Sequence, residues 1–330
     1  MERTSFAAKA SYAIEGFRFL ENAKKARINI IENYLKILVL QKKFPENLIY
    51  KEDFYDTKTG SSATLFYDTQ KEDYILAYTG TNLYTDIERD VYTDIYSIAM
   101  GQGAHYSACI NFYKKVLAKY SSNITLTGHS LGGNIAMRVA LEFNTKKTIV
   151  YNSAPLYLKN GVDLFMDKEE NEALYLKRIR KCNRNVSKIK ILEQNFIGEV
   201  LRITSEADFI TRLSVLLDGY YIGDEVIIKN AGSHFMKYLL TKDVQKEITK
   251  IIENKKQQTE VDYLPIALNN FKILENVSDE KLITIEEKIK DFLKNNKLNK
   301  VLTSKIENIN LEKFFTHLEK KLDDERKNNK

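Results

Sequence analysis

Ile124-Thr125-Leu126-Thr127-Gly128-His129-Ser130-Leu131-Gly132-Gly133 is the stretch that decides the fold. The residues Asn123–Thr127 read as a short strand, and the apolar run Leu131–Phe143 reads as a helix. Between them stands G-x-S-x-G. Glycines two residues either side of Ser130 suit a turn too sharp for flanking side chains. A strand running straight through such a turn into a helix lifts the serine hydroxyl clear of the sheet. It also sets that hydroxyl before a helix N-terminus, whose N–H groups and dipole favour developing negative charge. A glycine-rich turn that merely packs tightly is the plainer alternative, and the flanking strand and helix weigh against it.

Working outward, residues 6–40 carry Ile28, Ile31, Leu35 and Leu38 at helical spacing. Ala63–Tyr67 and Tyr74–Thr79 flank the polar turn Gln70-Lys71-Glu72-Asp73 and predict a hairpin. Residues 83–99 and 104–120 read as helices. Thr148–Tyr151, Val200–Thr204 and Val226–Ile228 read as strands, with a charged, mostly helical segment over 156–195 and a helix over 235–253. Strands alternating with helices predict an α/β class with a mostly parallel central sheet flanked by helices. The polar run Glu253–Glu260 marks a boundary. The expected organisation is a domain over 1–255, with a helical N-terminal part over 1–61 and an insertion over 156–198. A helical C-terminal appendage over 256–330 follows.

The chain has 330 residues, 43% hydrophobic and 29% charged, with a formal net charge of +6, which is an ordinary globular balance. Lysines are spread along most of the chain, so this charge does not point to nucleic acid. Cys109 and Cys182 are the only cysteines. They make neither a disulfide framework nor a zinc site, and no metal or organic cofactor is expected. The N-terminus lacks the basic start and apolar core of a secretory signal. No apolar run approaches the ~20 residues that span a bilayer. A cytoplasmic chain is the expectation, with signal-independent export left open.

The elbow letters GHSLGG resemble the class 3 lipase family of α/β-hydrolases. Ala77-Tyr78-Thr79-Gly80-Thr81 is similar to that family's strand ending in RGT or RGS, with Thr79 where arginine is usual. Asp90 stands where the family commonly has an aspartate after that loop. Gly103-Ala104-His105 is similar to its His-x-Gly-Phe region, and Tyr151-Asn152-Ser153-Ala154-Pro155 to its strand ending in GAP. The resemblance covers about 62–240. It implies an α/β-hydrolase fold and hydrolysis of a carboxylic ester, with a lipid ester as substrate.

A serine nucleophile needs a base, and the base an orienting carboxylate. In this fold they follow in the order Ser, Asp or Glu, His. His105 precedes Ser130, His317 lies in the appendage, and His129 sits inside the elbow, pointing away from the serine's line of approach. His234, in a small-residue turn before a helix, is the candidate base. Asp208 follows a strand, and its stretch is similar to the family's D-x-V-x-x-L. Glu206, Asp218 and Asp224 compete with it. The oxyanion donors expected are the amide of Leu131, after the nucleophile, and, by resemblance, that of Thr81.

Two features point to lipid. Leu83, Ile87, Val91 and Ile95 form an apolar stripe where the resembled family carries its lid, and a fixed surface helix is its plainer reading. Lys177, Arg178, Arg180, Lys181, Arg184, Lys188 and Lys190 form a basic run. It is either a solvated face or a dock for an anionic membrane. Lipase, phospholipase, non-lipid esterase and thioesterase are the rivals within enzymes. A catalytically silent hydrolase-fold protein that binds lipid or a partner is the rival outside them, and nucleic-acid binding is not expected.

Overall fold

The computed structural model describes residues 2–254 apart from 21–23, 81–97, 99–100, 102, 121–122, 167, 170 and 230. The stripe over 83–99, the oxyanion role of Thr81 and the appendage over 256–330 therefore fall outside the described residues, Ile98 excepted.

Helices α1 (Arg3–Leu20) and α2 (Lys24–Leu40) open the chain. Strands β1 (Leu48–Tyr55), β2 (Ser62–Asp68) and β3 (Asp73–Tyr78) form an antiparallel meander. Then follow α3 (Ala104–Lys119), β4 (Ile124–His129), α4 (Leu131–Phe143) and β5 (Lys147–Tyr151). After the two-residue β6 (Tyr157–Leu158) come α5 (Glu172–Gln194) and β7 (Glu199–Ser205). The chain continues through α6 (Phe209–Leu216), the two-residue β8 (Gly219–Tyr220) and β9 (Asp224–Ile228). The last elements among the described residues are α7 (Met236–Leu239) and α8 (Lys242–Asn254). The main sheet runs β1-β2-β3-β4-β5-β7-β9, and all neighbours from β3 onward are parallel. This is the α/β class, with a mostly parallel central sheet flanked by helices, that the alternation of strands and helices predicts.

Both faces of the sheet are covered, as a parallel sheet requires. Leu65, Leu76, Tyr78, Leu126, Val150 and Val200 point to one side, against α3, α4 and the buried Ile189 of α5. On the other side Phe66, Ile75 and Ala77 meet Phe6, Ala10, Ile14, Ile31 and Leu35. Ile149, Tyr151, Leu201 and Ile203 meet Ala8, Met236, Leu239 and Ile248 there. Each neighbour along a strand goes to the opposite face, the period of two that a strand imposes. In α4 every residue from Leu131 to Leu141 is buried. Gly132 and Gly133 cost about 1 kcal/mol each relative to alanine. Burial of Ile135, Val139 and Leu141, at about 1.5–3 kcal/mol each, outweighs that.

Three departures from the sequence reading stand out. Leu48–Tyr55 is a strand inside the stretch read as helical over 1–61. The pairing slips between Tyr50 and Glu52, which breaks the alternation that would have marked it. The helix read over 235–253 is two, broken between Leu239 and Lys242. The segment 156–195 is not polar throughout: Leu158, Val162, Leu164, Phe165 and Met166 make a small core with Cys182 and Leu217.

Candidate active site

The parallel strands end in register. Tyr78 lies opposite Gly128, His129 opposite Tyr151, Tyr151 opposite Ile203, and Ser205 opposite Ile228. The residues just beyond these ends therefore gather along one edge, the carboxyl edge where open α/β sheets bind ligands.

Ser130 stands there at φ 58°, ψ −126°. For a residue with a Cβ this is a strained backbone, and strain of this kind survives only where the surroundings over-determine it. The surroundings here do so. The Ser130 N–H donates to the Tyr151 carbonyl at 3.1 Å. The Ser130 carbonyl accepts from the amides of Gly133 (3.0 Å), Asn134 (3.2 Å) and Ala154 (3.1 Å). The flanking glycines are explained by contact: a Cβ on Gly128 would overlap the backbone of Gly132, and one on Gly132 would overlap the Tyr78 carbonyl. The Leu131 N–H begins α4, among the first N–H groups for which a helix has no acceptor of its own. Gly80, at the end of β3, abuts the same turn, since a Cβ there would meet Ser130 Cβ and the His129 carbonyl. Its successor Thr81 lies outside the described residues.

His234 and Asp208 meet. His234 Nδ1 lies 2.6 Å from Asp208 Oδ1. Asp208 is buried, and its Oδ2 accepts from the Thr211 amide at 3.1 Å and the Thr211 hydroxyl at 2.6 Å. The carboxylate is thereby aimed at the ring from both ends. Of the four acids considered in the sequence, Asp208 is the one at this nitrogen.

The loop carrying His234 is tied to the elbow itself. Its main-chain carbonyl accepts from His129 Nε2 at 2.7 Å and from Asn152 Nδ2 at 2.9 Å. Asn152 follows β5, and its Oδ1 accepts the Ser205 amide at 2.7 Å, joining the ends of β5 and β7. The His129 ring lies 4.6 Å from that of His234, centroid to centroid. On its other side Nδ1 lies 2.8 Å from the Tyr12 hydroxyl of α1. Burial, then the neighbouring His234, pushes the His129 pKa well below the usual histidine value, so this ring stays neutral. His105 lies apart from this group at the start of α3, with burial pushing its pKa down to about 4.

Tyr12, Asn152 and Thr211 are the residues that sequence reasoning missed. Tyr12 and Asn152 reach partners 117 and 82 residues away, and no local pattern carries such a pairing. Among the described residues no group of three or more His, Cys, Asp or Glu is placed to hold a metal ion.

Residues 28–170 match the model of a family described as phospholipase-like, the Tle-like phospholipase domain. That span takes in β1 to β5 and the elbow, and less than half of the chain. Among curated proteins the chain has no match. Similar solved structures include a triacylglycerol lipase from Penicillium expansum, 18% identical over 56% of this chain and 70% of that one, with a TM-score of 0.37. Lipase II from Rhizopus niveus is 13% identical over 68% and 78%, with a TM-score of 0.41. An esterase of the bacterial hormone-sensitive lipase family is 11% identical over 78% and 99%, with a TM-score of 0.36. The chain is an α/β protein with a mostly parallel central sheet, and its elbow-bearing residues 28–170 are similar to a phospholipase-like family.

Proposed function

We propose that this protein is a serine carboxylic-ester hydrolase acting on lipid esters through an acyl-enzyme. Ser130 is the nucleophile, His234 the base and Asp208 the acid that orients it. His234 takes the serine proton as the hydroxyl attacks the ester carbonyl, then gives it to the leaving alcohol. It next activates the water that releases the fatty acid. The developing oxyanion rests on the Leu131 amide, with Thr81 as the proposed second donor. The observation that carries this reading is the strained serine at the head of α4, with an Asp208-paired histidine whose main-chain carbonyl is bonded to His129, the residue just before that serine.

The similarity to a phospholipase-like family supports phospholipid esters as the first substrates to try, and the GHSLGG elbow keeps the class 3 lipase resemblance alongside it. A panel of phospholipids, triacylglycerols and p-nitrophenyl esters, run with wild type and Ser130→Ala, tests this. Turnover of a lipid ester that vanishes in Ser130→Ala is expected. Turnover of soluble esters alone would make the protein a non-lipid esterase, and turnover of none would favour a silent lipid- or partner-binding role.

An anionic bilayer is the proposed docking partner. Lys177, Arg180, Lys181, Arg184, Lys188 and Lys190 are exposed on α5. Each cation near an anionic surface contributes about 1 kcal/mol, screened by salt. Among the described residues no helix is long and apolar enough to cross a membrane. Sedimentation with anionic liposomes should therefore fall with salt, and fall again when Arg180, Lys181 and Arg184 become Glu. Binding indifferent to both would remove this surface from the account.

A further inference from the structure

We infer that Tyr12 and His129 are positioning residues for the base: the Tyr12 hydroxyl donates to His129 Nδ1 and holds that ring, and His129 holds the main chain of His234 beside the elbow. The inference rests on the reading of Ser130, His234 and Asp208 as a catalytic set.

The argument begins at the His234 carbonyl. It is buried and accepts two donors, His129 Nε2 at 2.7 Å and Asn152 Nδ2 at 2.9 Å. A carbonyl oxygen has two lone pairs, so both places are filled. For Nε2 to donate, it must carry the proton, and in a neutral imidazole Nδ1 must then accept. The group at Nδ1 is the Tyr12 hydroxyl, 2.8 Å away, which can donate. The reverse tautomer would set a bare nitrogen lone pair against a carbonyl oxygen at the same short distance. The His234 carbonyl, which can only accept, therefore dictates the Nε2–H tautomer, and the Tyr12 hydroxyl completes it by donating to Nδ1 and holding the ring in place.

The chain of bonds spans three distant parts of the sequence. Tyr12 lies on α1, which packs across β2, β3 and β4. His129 is the last residue of β4, one before the nucleophile. His234 lies in the loop after β9. A catalytic group held about 1 Å out of place loses on the order of 10² in rate, so what grips the backbone of the base bears on turnover as well as on folding. The grip also comes from the side of the elbow. Movement of the nucleophile turn and movement of the base are thereby linked.

The test uses a soluble p-nitrophenyl ester, the full chain, and the variants Tyr12→Phe, His129→Ala, His129→Gln and the double Tyr12→Phe/His129→Ala. Tyr12→Phe should lower kcat by about 2–10-fold, the worth of one neutral hydrogen bond, with KM within about 2-fold of wild type. His129→Ala strips a donor from a buried carbonyl and should lower kcat by about 10–100-fold. His129→Gln, whose amide N–H can stand where Nε2–H stood, should recover most of that loss. In the double variant Tyr12→Phe should cost less than about 2-fold, because its effect passes through His129. The inference is overturned if Tyr12→Phe matches wild type in kcat, or if its loss adds in full to that of His129→Ala. The first criterion stands even if His129→Ala does not fold. Labelling by a fluorophosphonate separates the two levels. Wild type that fails to label sinks the catalytic set itself. Ser130-dependent labelling at equal rates in wild type and Tyr12→Phe sinks only the positioning role.

Discussion

Asp208→Asn is the substitution whose effect the geometry specifies most closely. Asp208 presents two oxygens with different duties. Oδ2 accepts from the Thr211 amide and hydroxyl, and Oδ1 faces His234 Nδ1 at 2.6 Å. An asparagine of the same shape must keep its oxygen toward the two Thr211 donors, which leaves its NH₂ facing His234. That NH₂ can only donate, so Nδ1 must accept and the proton moves to Nε2. The nitrogen meant to take the proton of Ser130 then already has one. Enforcing the wrong tautomer in a Ser-His-Asp set costs about 10⁴ in kcat. At about 1.4 kcal/mol per factor of ten, that is about 5.5 kcal/mol of transition-state stabilisation. KM should stay within a few-fold, because binding does not use this bond. The assay is steady-state hydrolysis of a p-nitrophenyl ester, with a thermal melt to show that the variant folds. A folded Asp208→Asn that keeps more than about a tenth of wild-type kcat would refute the reasoning, and Asp208 would then be a structural acid.

Further outcomes follow from the same contacts. Gly132→Ala should destabilise by about 1–3 kcal/mol, read as a lowered urea midpoint, because the new Cβ overlaps the Tyr78 carbonyl. An exposed helical glycine would instead gain from the change. Thr211→Val removes a hydroxyl from a buried carboxylate and should cost about 1.5–3 kcal/mol of stability. Acid should weaken the fold through His105. Its pKa is about 4 when folded, against about 6.5 for a free histidine, so the unfolded chain binds the proton more readily. That contribution is intact above about pH 6.5 and is lost as pH falls toward 4, by on the order of 3 kcal/mol in all. The buried His129 acts in the same direction. Melts of wild type and His105→Gln across that range should show the variant losing less stability on acidification. Parallel curves would remove His105 from the account.

What the sequence made legible was local. The strand–turn–helix around Ser130 and the β2–β3 hairpin each announce themselves within a dozen residues. The parallel strands β5, β7 and β9 do so too, because burial on both faces requires apolar runs. Strand β1 did not, since its pairing slip interrupts the period of two. Ser130, Asp208 and His234 were nominated from chain order, turn chemistry and the family resemblance, and the fold brings Asp208 to His234. Tyr12 could not, because a tyrosine among the apolar residues of α1 looks like any core aromatic until the fold sets it against His129. Asn152 was quoted only as part of a strand end. Its side chain joins three segments that have no sequence relation. The basic run over 177–190 was visible as charge, and only the fold shows which members face outward: Cys182 and Ile189 turn inward to the core, and Arg178 is half-buried.

The central claim is that Ser130 carries the acyl group. The most direct measurement is reaction of the full chain with a fluorophosphonate, followed by digestion and mass spectrometry of the modified peptide. The account predicts one adduct, on Ser130, absent from Ser130→Ala and strongly slowed in His234→Ala. An adduct on another residue, or equal labelling of wild type and Ser130→Ala, would contradict it.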